Sequence, residues 1–302
     1  MMSYSVSGYL YPKKPFDFEK SLEFLRTFSP GKNEQKIDEN SLIKAVQLDN
    51  QCFVFSLSSV GEIEQPKISY ELSSNEPIKK DMQKKMERNI GTFISIDDNL
   101  EEFYEVGKND EKFKPILEKL YGYHQVRFFS AFENACWAIL STRTPMNLAK
   151  KMKRDLSEKY GAYLKYDNEF YLTFPDANSL ESISIEDIEE VINNSQKAKY
   201  LKNVIEFFTQ EDNESLVKKE YKKVKEELLK IKGIGEWSAS FILLRGLGFM
   251  EELPTNEKVL REEVRKLYKN SDKEYEKLID MYGDYIGYWA HYIRAYESMK
   301  GK

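Results

Sequence analysis

The sequence predicts an α+β domain at the N-terminus followed by an all-α region of two helical lobes. Three observations predict it. Between residues 42 and 72, short runs rich in β-branched and aromatic residues are separated by Asp-Asn, Ser-Ser and Gly turns. From about Lys112 onward these strand signals fade and helical apolar spacing takes over. At residues 224–247, two segments of helical spacing flank the turn Gly233-Ile234-Gly235. The boundary is therefore set at 1–112 and 113–302.

Each element follows from local pattern. Phe16, Leu22, Leu25 and Phe28 fit a helix after Pro15. Leu42–Leu48, Phe53–Leu57 and Ile68–Leu72 read as strands, and 77–90 as a helix, so a small antiparallel sheet with flanking helices is expected. It carries no catalytic constellation and is expected to support the helical region by packing. Phe129–Arg143 is a strongly apolar helix punctuated by Thr144-Pro145, and Met146–Tyr160 is a second helix closed by Gly161. The run Trp237–Leu247 has helical length, with Trp237, Phe241 and Leu244 on one face. Leu253-Pro254-Thr255-Asn256 leads into a further helix bearing Leu260, Val264 and Leu267 on one side.

Composition sets bounds. A chain of 302 residues can hold two or three domains and bury ample core. Charged residues at 32% and apolar ones at 41% suit a soluble globular protein. No apolar run approaches the roughly 18 residues of a membrane span. The opening MMSYSVSGYLYPKK lacks the apolar centre of a secretion signal. Cys52 and Cys136 are too few for a disulfide scaffold or an iron–sulfur cluster, and both lie in apolar runs, so buried thiols in a reducing compartment are expected: the cytoplasm and its nucleoid. His124 and His291 are far apart and have no metal-ligand spacing.

The glycine turn directs attention to nucleic acid. Two glycines one residue apart permit backbone that a Cβ would forbid and leave bare N–H groups at the next helix N-terminus, where phosphate is favoured. A hairpin of this kind grips a DNA backbone without reading sequence; a plain glycine turn between packed helices would use the same residues. The net charge of −5 is not the usual footprint of a DNA-binding protein. Locally, however, Lys218, Lys219, Lys222, Lys223, Lys225, Lys230 and Lys232 collect on the approach to the turn, interleaved with Glu220, Glu226 and Glu227. They read equally as a solvated face or as phosphate partners.

The hairpin, the proline beyond it and the helix start that follows resemble the helix-hairpin-helix DNA glycosylase superfamily, most closely the 3-methyladenine DNA glycosylase II branch. Phe132-Glu133, Ala138-Ile139-Leu140, Ala149 and Tyr160-Gly161 are similar to that family's pattern. So are Phe174-Pro175 with Leu180, Ile188, Lys197 and Leu201, and the closing Tyr282-Gly283-Asp284-Tyr285 with Tyr288-Trp289-Ala290. The resemblance covers 113–302 well and 1–112 loosely. It implies a monomeric DNA-repair enzyme that flips a damaged, alkylated purine out of double-stranded DNA and hydrolyses its N-glycosidic bond. No cofactor is implied beyond a monovalent cation at the hairpin carbonyls.

The resemblance also implies roles for residues. Thr142 and Arg143 fall in the turn that fills the gap left by the flipped base; Thr142 replaces the family's common glutamine. Arg143 reads either as the stacking wedge or as a surface arginine at a helix C-terminus. Trp237 stands where bifunctional relatives carry a nucleophilic lysine, so no Schiff base and no lyase step are expected. Trp237, Phe241 and Tyr285 would form a base pocket attractive to a cationic purine, or else ordinary helix core. Ile231, Gly233 and Gly235 would meet a phosphate with Lys232, which replaces the usual proline.

At the carboxylate the chain departs from the family. The aspartate position is Asn256, which carries no charge to stabilise a sugar cation. Glu257 follows. Either Glu257 takes over the catalytic role, or the chain is a non-catalytic binder of damaged DNA. As a helix N-cap and a first-turn acid, the two residues are also explained without catalysis. Asp284 and Glu133 are the remaining acids to consider. A helical interaction protein is the alternative of a different class; it suits the acidic charge and leaves the aromatic residues unexplained.

Overall fold

The computed structural model describes residues 4–27, 34–253, 258–269 and 272–300. The chain begins with strand β1 (Tyr4–Leu10) and helix α1 (Phe18–Thr27), then β2 (Gln35–Ile37), β3 (Ser41–Leu48), β4 (Gln51–Ser59) and β5 (Ile68–Ser74). These form a five-stranded antiparallel sheet in the order β1-β5-β4-β3-β2. Asp49 and Asn50 join β3 to β4 with φ of 51° and 63°, the left-handed pair that a tight hairpin requires. Strand alternation sends Phe53, Phe55, Leu57, Ile68 and Leu72 into the large core and Ile43, Ala45 and Val54 to the opposite face.

That opposite face is covered by an unexpected element. The sequence reading had strands fading after residue 112, yet β6 (Tyr163–Tyr166) and β7 (Glu169–Leu172) form a two-stranded hairpin. Its Leu164 and Tyr171 pack on Ile43, Ala45 and Val54. The turn is Asp167-Asn168, again with both φ positive, at 47° and 63°. β1 was also missed; its outward tyrosines, Tyr4 and Tyr9, break the apolar alternation that marks a strand.

The rest of the chain is mostly helical. In order come α2 (Lys80–Phe93), α3 (Glu101–Lys108), α4 (Lys114–Lys119), α5 (Ala131–Ser141), α6 (Met146–Tyr160), α7 (Ile185–Ile192), α8 (Ser195–Phe208) and α9 (Asn213–Val217). Then follow α10 (Tyr221–Lys230), α11 (Glu236–Ile242), α12 (Lys258–Tyr268), α13 (Asp272–Tyr282) and α14 (Ile286–Lys300). α11 does not run on regularly to Leu247. Leu243–Leu247 opens into a wider π turn, where the Phe128 amide donates to the Arg245 carbonyl (2.8 Å) and Gly246 lies against Ala131 and Asn134.

Apolar packing gathers in two main bodies. The larger joins the inner sheet face and α2–α4 to Leu260 and Val264 of α12, Tyr282 of α13 and Tyr288, Trp289 and Tyr292 of α14. It therefore takes residues from both sides of position 112. The second joins Phe132 and Ile139 of α5, Met152 of α6, Leu201 of α8, Leu228 of α10 and Ile242 of α11. Both cysteines are free thiols, Cys136 buried and Cys52 half-buried. Among the described residues no helix is long and apolar enough to cross a membrane.

A buried ionic cluster ties the sheet to the helices. Lys153 of α6 pairs with Glu34 and, at 3.2 Å, with Glu133 of α5, while Lys44 of β3 lies 3.7 Å from Glu34. Burial opposes every charge here. The Lys153 and Lys44 ammonium groups outweigh it at Glu133 and hold its carboxyl below the usual carboxylate range. Glu34 and Glu133 in turn hold Lys153 above the ordinary lysine value despite its burial. Glu133 is thus committed to this cluster.

Candidate nucleic-acid interface and base pocket

The hairpin forms as its glycines dictate. α10 ends at Lys230, the turn spans 231–235, and α11 begins at Glu236. Gly233 has φ of 107° and lies so close to Tyr200 of α8 that a Cβ would sit 2.4 Å from the ring, so both conformation and space require glycine. Gly235 is different. It caps α11 with no side-chain bond, and a Cβ there would meet nothing within 4 Å. The turn is therefore open on the Gly235 side, at the start of α11, where a helix leaves its first amides without intrahelical partners. Lys232 beside it is exposed and makes no ion pair among the described residues. Glu236, the first residue of α11, lies 3.8 Å from Lys225. The carbonyls of Ile231 and Lys232 accept from the Ile234 amide (2.9 Å) and the Asn203 amide group (3.1 Å). A carbonyl oxygen has two lone pairs, so this turn can also offer oxygens to a monovalent cation.

On α11 the next features are aromatic. Trp237 and Phe241, one turn apart, stack with ring centroids 5.3 Å apart and planes 10° from parallel. Phe128 meets Phe241 edge-on at 5.8 Å. Phe241 packs on a small cluster of Phe128, Trp137 and Ala149, outside both main apolar bodies. Both Trp237 and Phe241 are only half-buried, so this face keeps π surface free. Phe128 was missed in the sequence; its signal was an aromatic directly before the apolar helix. Tyr285 is not in ring contact with this pair among the described residues. It sits half-buried at the rim of the larger core, 6.1 Å from Phe103. Burial, with Glu102, Asp284 and Asp98 nearby, raises its phenol above the ordinary value.

The turn after α5 is tightly built. Thr142 is the C-cap, and its hydroxyl donates to the Ala138 carbonyl (2.6 Å). Arg143 follows with φ of 52°, left-handed backbone that a non-glycine residue adopts only when its surroundings hold it. Its side chain is exposed and makes no ion pair or hydrogen bond among the described residues.

Asn256 and Glu257 lie outside the described residues, as do Pro254 and Thr255. Leading to them is a residue the sequence reading passed over. Glu252 is 2% exposed and binds the Ser240 hydroxyl of α11 and the Lys225 ammonium of α10 (3.1 Å). Burial pushes its carboxyl up to about 7 even with that ammonium present. One carboxylate thus joins both hairpin helices to the chain that leaves them. Asp284 is exposed in a short 3-10 turn, Gly283–Tyr285.

No family model matches the sequence. The chain is 25% identical over 267 residues to a DNA-3-methyladenine glycosylase of Bacillus subtilis (strain 168), covering 84% of this chain and 86% of that protein. Its fold matches a 3-methyladenine DNA-glycosylase from Archaeoglobus fulgidus with a TM-score of 0.78, at 18% identity, over 96% of this chain and 98% of the other. The chain has the helix-hairpin-helix DNA glycosylase fold. A Clostridium acetobutylicum 8-oxoguanine glycosylase/lyase shares this glycosylase fold, with a TM-score of 0.70 at 19% identity over 98% of this chain and 99% of that one. The similarity thus spans the sheet as well as the helices. The sequence resemblance to the glycosylase superfamily and the small antiparallel sheet followed by mostly helical chain are both borne out.

Proposed function

We propose that the protein is a monofunctional DNA glycosylase that flips an alkylated purine out of duplex DNA and hydrolyses its N-glycosidic bond. The observation that carries this reading is the stacked Trp237–Phe241 pair, which lies outside both apolar cores on the helix that follows the open glycine turn. A cationic alkylated base is attracted to such faces and is also a good leaving group. In this reading the amides near Gly233 and Gly235, with Lys232, hold a backbone phosphate. A monovalent cation, when bound at the Ile231 and Lys232 carbonyls, adds positive charge beside that phosphate. Arg143 fills the vacated stack, and Tyr285 completes the pocket from the turn before α14 when DNA is bound.

Bond cleavage leaves a cationic sugar to which water adds, and a carboxylate beside it lowers the barrier. Glu257 is assigned that role. Asn256 favours the second reading, a damaged-DNA binder without excision. Release of free base from alkylated duplex under single-turnover conditions tests both. If Glu257 is the carboxylate, Glu257→Gln loses activity by a factor of about 10² or more. An inactive wild type with activity gained in Asn256→Asp means a binder. Equal rates for wild type and Glu257→Gln would remove Glu257 and turn attention to Asp284.

A further inference from the structure

We propose that Lys197 is a positioning residue for the turn Thr142–Arg143, holding it in the shape in which Arg143 enters the duplex; this rests on the glycosylase reading above. A helix C-terminus leaves carbonyls without partners. At the end of α5, the Lys197 ammonium donates to the carbonyls of Ile139, Leu140 (3.2 Å) and Thr142 (3.0 Å). Those three acceptors account for all three of its N–H groups. No carboxylate takes part, and burial alone shifts the lysine, lowering its pKa. The ammonium is thus held by carbonyl dipoles and by the negative end of the α5 dipole.

The aim of Lys197 is itself fixed. Asn193 takes the left-handed conformation (φ 50°), and the Asn194 side chain caps α8 by accepting from the Lys197 amide (2.9 Å). The first turn of α8 therefore points its lysine at the end of α5.

Simple end-capping would account for the bonds to Ile139 and Leu140. The third bond goes to the C-cap carbonyl, where the helix gives way to the turn. The Thr142 carbonyl accepts from both Lys197 and the Thr144 hydroxyl (3.0 Å). That carbonyl belongs to the peptide joining Thr142 to Arg143, so fixing it fixes the direction in which Arg143 departs. α5 itself is held by its packed apolar residues. Lys197 therefore acts on the shape of an exposed, left-handed Arg143 and not on the integrity of the core.

The test is equilibrium binding of the full-length protein to duplex carrying a tetrahydrofuran abasic-site analogue and to intact duplex, with urea unfolding alongside. Lys197→Met should lose roughly tenfold in affinity for the abasic duplex, the scale of one hydrogen bond to a charged group, and almost nothing for intact duplex. Lys197→Arg should restore most of the loss. In Lys197→Met/Arg143→Ala the loss should equal that of Arg143→Ala alone, because both act through one residue. Equal losses on both duplexes, additive losses in the double variant, or a loss that follows the unfolding midpoint would overturn the proposal. Should Lys197→Met fail to fold, Lys197→Gln carries the same comparison. A wild type that shows no preference for the abasic duplex defeats the glycosylase reading and this inference with it. A wild type that shows the preference while Lys197→Met keeps it defeats this inference alone.

Discussion

Lys153→Met should be the most destabilising conservative substitution in the ionic cluster. The lysine is 3% exposed, contacts Glu34 and Glu133, and lies 4.7 Å over the Phe174 ring. Methionine keeps much of the volume and removes the charge. Removing one partner of a buried pair costs about 3–5 kcal/mol, because the other charge is left stranded. Against a total stability of roughly 5–15 kcal/mol, that is a large share. Urea unfolding at pH 7.5 should show it as a lower midpoint with an unchanged slope. The pH dependence gives a second handle. In the wild type the Glu133 carboxyl is held down, so its contribution is present above the unfolded value, roughly 4.3, and is lost as pH falls through the folded one. In the variant, burial acts with its strongest opponent removed, so the folded carboxyl should rise above its unfolded value. The native variant then takes up a proton preferentially and gains stability as pH falls. The gap between the two proteins should therefore narrow from pH 7.5 toward about 5.5. Adding Glu133→Gln should recover part of the loss. A loss below about 1 kcal/mol, the scale of an exposed pair, or a gap independent of pH would refute this reasoning.

Three further outcomes are expected. Lys232→Glu should weaken duplex binding whatever the sequence and reduce the salt slope by roughly 1; an unchanged slope would remove Lys232 from the interface. Trp237→Ala should lower kcat/KM for base release by about tenfold to a hundredfold, the range for one stacked base, and an unaltered value would return Trp237 to the status of packing. Borohydride should trap no covalent adduct with DNA, since tryptophan has no amine at that position; a trapped adduct would contradict the monofunctional assignment.

Much of the fold was legible because its signals were local. The turn Gly233-Ile234-Gly235 announced itself, and the structure shows why: Tyr200 leaves no room for a Cβ at Gly233. The β3–β4 hairpin was legible from Asp49-Asn50 between two apolar runs. The β6–β7 hairpin uses the same turn chemistry at Asp167-Asn168 and was overlooked. Its strands are short and half exposed, with Phe170 and Tyr163 facing solvent, and only the distant sheet face explains Leu164 and Tyr171. The site divides the same way. Trp237 and Phe241 were readable because helical spacing places them on one face. Lys197 was visible only as part of the family pattern, and the contacts of Lys197, Phe128 and Glu252 were not readable, because each meets a partner remote in sequence. The Lys197 acceptors lie in another helix, and the partners of Glu252 come from both sides of the hairpin.

The acidic net charge, which argues against DNA at first sight, is better judged residue by residue. Of the lysines leading to the hairpin, Lys218 pairs with Glu214, Lys219 with Glu211 and Glu227, and Lys225 with Glu252. Lys219 and Lys225 are held in partly buried pairs, whereas the Lys218 pair is exposed and weak. Lys222, Lys223, Lys230 and Lys232 are exposed and make no ion pair among the described residues. At physiological salt a phosphate senses charges within about 8 Å, so distant carboxylates hardly affect it. If the hairpin meets DNA as proposed, its footprint is a short run of lysines that make no ion pair among the described residues, together with the amides of the turn, fewer charges than the lysine count alone implies. Non-specific affinity scales with the number of phosphates neutralised. With few such contacts, more of the discrimination must come from the aromatic face and from the gap that Arg143 is proposed to fill. On the proposed glycosylase reading, an acidic chain of this design is expected to release undamaged duplex readily, which stopped-flow dissociation from intact and abasic duplex would check.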